Sequence, residues 1–126
     1  MVAYSFKARF AEDIAEGRKR QTIRAHGKRR HARPGEAIQL YTAMRTKQCR
    51  KLLDTDPTCV AVTNIRSRVP RGMEPCQITY QGETRYVDDA FAQSDGFSTA
   101  EDFTRFWFAT HGPGIFEGVL IEWAPA

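Results

Sequence analysis

Tyr4 and Phe6 alternate with Ser5 and Lys7 in VAYSFKARF, and this two-residue period predicts a first strand. AEDIAEG follows, with acids in its first turn and Gly17 at its end, the pattern of a short helix closed by a glycine cap. RKRQTIRA carries the β-branched pair Thr22–Ile23 and predicts a short strand. HGKRRHARPGE, broken by Gly27, Pro34 and Gly35, predicts a loop. AIQLYTAM alternates again and predicts a strand, whereas TKQCRKLL fits a helical turn or a loop equally. TCVAVTNIRSRV is the clearest strand, with Val60 and Val62 on one face and a bulge before Ile65. CQITYQGETRYV predicts a hairpin turning at Gln81–Gly82. DDAFAQSDGF predicts a short helix stopped at Gly96. STAEDFTRFWFATHG opens with the capping-box pattern Ser98-x-x-Glu101 and places Phe103, Phe106 and Trp107 on one helical face. IFEGVLIEWAP is apolar enough for a central strand.

This order lacks regular β-α-β alternation, so a doubly wound parallel sheet does not fit. The expectation is an α+β fold, a small, strongly curved β-barrel with short helices packed on its side. At 126 residues the chain predicts a single domain, 1–126. A 41% hydrophobic content is enough for a real core and argues against disorder. No apolar run approaches the length of a membrane span, and no signal-peptide core is visible. Cys49, Cys59 and Cys76 include no C-x-x-C pair, which argues against a zinc ribbon or a disulfide framework. The chain therefore reads as a soluble, cytoplasmic protein, with neither metal nor cofactor expected.

Charge changes the picture because it is segregated. Residues 17–51 hold twelve Lys or Arg against the single acid Glu36, while residues 88–122 hold seven acids against Arg105 alone. One cationic face suggests a polyanionic partner such as RNA; the plainer alternative is a solvated basic surface.

GRKRQTIR resembles the G-x-K-x-x-T-x-R signature of ASCH-domain proteins, of the PUA-like superfamily, through Gly17, Lys19, Thr22 and Arg24. The similarity extends to RFAEDIAEGRK as the first helix, ARPGEAIQLY as a turn and strand, SDGFSTAEDF as an acid before a capped helix, and GVLIEW as the last strand. The resemblance implies a PUA-like β-barrel whose basic cleft accepts RNA or a modified nucleoside. Some small bacterial relatives hydrolyse the acetyl amide of N4-acetylcytidine with a Lys and a Thr of the signature and a downstream Glu. Other relatives are ribonucleases or RNA-binding modules. Asp95 stands where the amidohydrolases carry their acid, one methylene shorter.

In a regular strand Arg20, Thr22 and Arg24 share one face and Ile23 takes the other. Lys19 has the wrong parity to meet Thr22 unless it lies on the turn after Gly17. Neighbouring arginines favour its neutral amine, and a neutral lysine beside a threonine hydroxyl makes a base–nucleophile pair. Arg24 suits an oxyanion or a phosphate, and an acid is needed for the leaving amine. With Asp95 as the acid that the resemblance implies, the catalytic candidates are Lys19, Thr22 and Asp95. Each also has a bland reading, as a turn lysine, a strand threonine and a turn aspartate. For RNA, the candidates are Arg24, His26, Lys28, Arg29, Arg30 and Arg33, with Tyr41 as a stacking face or, equally, a core residue, and Arg45 as a phosphate contact. His26 and His31 are a candidate general acid–base pair for strand cleavage, or ordinary surface histidines. Phe97 either stacks on a base or anchors the following helix, and Trp107 and Trp123 read as core.

Overall fold

The computed structural model of the protein describes residues 2–125. In chain order it contains β1 (Val2–Phe6), a 3-10 turn (Ala8–Phe10), α1 (Ala11–Ala15), β2 (Gln21–Ala25), β3 (Ile38–Thr42) and β4 (Arg50–Lys51). There follow β5 (Thr58–Val69), β6 (Gln77–Tyr80), β7 (Glu83–Tyr86), α2 (Asp89–Ser94), α3 (Ala100–Thr110) and β8 (Gly114–Ala124). The fold is a mixed α+β arrangement, mostly strands in two sheets with a few short helices.

The hydrogen bonding does not close into the expected barrel. One sheet has the order β1-β3-β4 and the other β2-β8-β5-β6-β7. Among the described residues a single isolated bridge, Ala37 to Thr58, joins them. Edge strand β4 is only two residues long, and three of the four residues of edge strand β7 are exposed, so neither extends a ladder. The β1–β3 pair is parallel and the other pairs are antiparallel.

β8 is central because Val119, Leu120 and Ile121 are buried in succession, so both its faces are covered. Its long ladder with β5 shifts register between Cys59 and Ala61. The bulge thus falls at Val60, not before Ile65, and it turns Val60 outward to 52% exposure. The predicted hairpin forms, with Gln81 and Gly82 both at positive φ.

The cap of α3 lies one residue beyond the expected Ser98. The Thr99 hydroxyl accepts from Asp102 N at 3.1 Å, while the Asp102 carboxylate accepts from Ser98 N. Two hydroxyls followed by two acids fit either register, and the apolar face decides: Phe103 and Trp107 are buried. Phe103 meets Phe91 and Phe97 edge-on, and Phe97 continues the aromatic cluster to Phe10 and Phe106. No described helix is long and apolar enough to cross a membrane.

Candidate functional site

The turn after α1 sets the position of the buried lysine. Gly17 has φ +81°, a conformation that disfavours any residue with a Cβ. It donates to Ile14 O, and Arg18 N and Lys19 N both donate to Asp13 O, at 2.8 and 3.0 Å. The chain thereby doubles back and drives Lys19 inward, outside the regular strand, to 3% exposure.

Lys19 Nζ donates to Gln21 O at 2.8 Å and to Asp95 O at 2.5 Å. It also lies 4.8 Å from the ring centre of Phe10 and 5.5 Å from that of Phe6. Asp95 Oδ1 is 3.8 Å away. Burial pushes the lysine pKa down; the Asp95 charge opposes this and Arg24 adds to it. The dominant cause is therefore desolvation rather than the flanking arginines. Arg18 is turned outward onto Asp13, Glu12 and Glu16, and Arg20 is exposed.

Asp95 caps the C-terminal end of α2 and is 4% exposed. Burial raises its pKa to about 6, against the lowering effects of Lys19, Gln21 and Arg24. Neither its Oδ1 nor the buried amide nitrogen of Gln21 makes a hydrogen bond of normal geometry, so the Gln21 amide acts on the carboxyl only as a nearby donor and Lys19 as a charge at 3.8 Å. Gly96, which follows, has φ +94°, and a Cβ there would lie 2.7 Å from Lys19 Cδ and 2.9 Å from Phe10. The local pattern marks Gly96 only as a helix stop; its close approach to Lys19 is a tertiary contact with no sequence signal.

β2 places Thr22 and Ile23 opposite Ile121 and Leu120 of β8, and both are buried. Thr22 Oγ1 accepts from Arg24 Nε at 3.1 Å, and a terminal nitrogen of Arg24 donates to Ser5 O at 2.7 Å. The guanidinium lies 4.7 Å from the Phe6 ring centre and 5.3 Å from that of Tyr4. Lys19, Thr22, Arg24 and Asp95 all line one cavity of about 270 Å³, walled by Phe6, Phe10, Phe97, Phe106 and Trp107, with Ser5, Lys7 and Ile23 completing it. Lys19 makes no hydrogen bond to Thr22; Arg24 takes that place. Phe97 is both a helix anchor and a cavity wall.

The loop candidates separate from this cavity. Arg30 is held by a two-point ion pair to Glu36, at 2.7 Å for each bond, so it is not a free phosphate contact. His31 uses both ring nitrogens, on Tyr4 Oη at 3.0 Å and Ala25 O at 2.8 Å, and stacks on Tyr4. That histidine anchors the loop, which removes it from the expected acid–base pair. His26, Lys28, Arg29 and Arg33 are exposed, and among the described residues no ion pair holds these three cations. Arg29, Arg30 and His31 line a separate surface hollow with Val2, Ala3 and Tyr4. Tyr41 is half-buried, paired with Lys51 across β3–β4, and Arg45 is exposed on the following loop; neither lines the cavity.

Among the described residues no group of three or more His, Cys, Asp or Glu is arranged to hold a metal ion. The three cysteines are free. Comparison with protein-family models, with curated proteins and with solved structures finds no match to the chain.

Proposed function

We propose that the cavity binds a modified nucleoside and hydrolyses an acyl amide on its base, as in N4-acetylcytidine. The carrying observation is the meeting of Lys19, Thr22, Asp95 and Arg24 in one aromatic-walled cavity that the basic loop does not enter. A volume of about 270 Å³ lies at the small end of ligand sites and suits a base with its acyl group better than an RNA strand. The PUA-like relationship belongs to the same reading, with the two sheets as the sides of an incompletely closed barrel.

The chemistry follows from the bonding. In this reading Lys19 reacts as the neutral amine that burial favours, with N–H groups donated to Gln21 O and Asp95 O and its lone pair free. With the hydroxyl turned from Arg24 toward Lys19, the amine takes the Thr22 proton as Oγ1 attacks the acyl carbon. Arg24, beside that oxygen, stabilises the charge that develops on the carbonyl oxygen. The C–N bond breaks as Asp95, with a pKa of about 6, gives a proton to the leaving amine, and Lys19 returns one to Asp95 across 3.8 Å. Water then cleaves the threonyl ester, releasing the carboxylic acid and restoring the hydroxyl. The test is incubation of the purified protein with N4-acetylcytidine. Cytidine and acetate are expected, and an untouched substrate over pH 6 to about 9 removes this activity.

A second reading, RNA binding, is favoured by one observation: Lys28, Arg29 and Arg33 are exposed and, among the described residues, free of carboxylate partners. These cations would contact phosphates outside the cavity.

A further inference from the structure

The cavity carries more positive than negative charge. Lys19 has Asp95 for a counter-ion, at 3.8 Å. Arg24 makes no ion pair among the described residues: its bonds go to a threonine hydroxyl and a backbone carbonyl, both neutral, and Asp95 acts on it only as a more distant charge. Its second terminal nitrogen makes no hydrogen bond to any described residue, although the guanidinium is packed against Tyr4 and Phe6. Lys7 also lines the cavity, is exposed, and sits 5.1 Å from the Phe106 ring centre, with no ion pair among the described residues. Arg9, nearby, is different, because Asp102 holds it at 3.0 Å. Lys19 and Asp95 cancel whether they stand as an ion pair or as a neutral pair, so Arg24 and Lys7 remain as two cations in excess. A desolvated cation without a counter-ion is costly, and such a site favours a ligand that brings the missing charge.

Resting on the nucleoside reading above, we propose that the ligand is anionic, a nucleoside monophosphate rather than the neutral nucleoside. The base lies against Phe10, Phe97 and Phe106. The phosphate takes Lys7 at the rim, where the ammonium is free and solvent-accessible. Arg24 stays with the reacting acyl group, and its field adds to the attraction.

The experiment compares cytidine with cytidine 5′-monophosphate as probes, by calorimetric titration at low salt. The expected result is at least tenfold tighter binding of the monophosphate. In Lys7→Met, which keeps an unbranched chain over Phe106, the ratio of monophosphate to cytidine affinity should drop several-fold. Arg71→Met is the control, since Arg71 lines a different hollow beside Met73 and Phe108. Equal affinities for the two probes overturn the charge inference and leave the nucleoside reading in place. Equal loss of preference in Lys7→Met and Arg71→Met also overturns it, because the attraction is then a property of the whole basic surface. If neither probe binds, the nucleoside reading falls and this inference falls with it.

Discussion

At the scale of single residues, the site depends on how far burial shifts two ionisable groups. Asp95 has a folded pKa of about 6, above its ordinary 3.8. A raised acid favours folding below pH 4 and loses that contribution as pH rises through about 6. Wild-type stability relative to Asp95→Asn should therefore fall over this window, by on the order of 3 kcal/mol, in denaturant melts at each pH. Lys19 is lowered, so its contribution runs the other way: it is present above pH 10.5 and is lost as pH falls through the depressed value. A flat difference between wild type and Asp95→Asn across pH 4–6 would contradict the buried carboxyl. The glycines give a second test. Gly17→Ala meets nothing within 4 Å and should cost only its backbone strain, about 1 kcal/mol. Gly96→Ala adds a collision with Lys19 and Phe10 to that strain and should cost about 2–4 kcal/mol. Equal costs in thermal or chemical melts would mean that Lys19 is not packed where described.

At the scale of elements, β2 is the informative strand. Its inward residues are legible in the sequence: Ile23 joins the core, and Thr22 and Ile23 both reach the cavity. Ile23→Ala should cost about 2–5 kcal/mol, whereas Thr22→Ala, which removes a buried methyl and the acceptor of Arg24 Nε, should cost less, about 1–3 kcal/mol. Denaturant melts giving the reverse order would invert the strand's faces. Local periodicity also foretells β1, β3, the β6–β7 hairpin and α3. It misplaces what depends on distant partners. The bulge at Val60 is a register shift against β8, so β5 alone carries no mark of it. The choice of Thr99 over Ser98 as cap is made by which residues of α3 meet the core. The parallel pairing of β1 with β3 joins segments more than thirty residues apart, beyond the reach of any window pattern.

At the scale of the whole molecule, the same limit separates the two basic regions. In the sequence the signature and the loop after it form one cationic stretch. In three dimensions Lys19 is inside and Arg24 half-buried at the cavity, while Lys28, Arg29 and Arg33 stay in solvent. Glu36 withdraws Arg30 from that set, and Tyr4, from the first strand, withdraws His31. Composition counts the charges, but only tertiary contacts decide which remain free. If the three free cations bind single-stranded RNA, the log–log slope of affinity against salt should be about −2, from three contacts at roughly 0.7 each. Lys28→Ala should flatten it by about 0.7 without changing cavity binding. Salt-independent RNA binding would contradict this role for the loop.

The central claim is that Lys19 and Thr22 act in one chemical step inside the cavity. It is tested most directly by the rate of cytidine release from N4-acetylcytidine by wild type, Lys19→Met, Thr22→Val and the double variant, each first shown to be folded. Groups that share one step are strongly non-additive. Each single variant should therefore lose nearly all activity, and the double variant should be little slower than either. Retention of the wild-type rate by Lys19→Met or Thr22→Val, or losses that simply multiply in the double variant, would contradict the account.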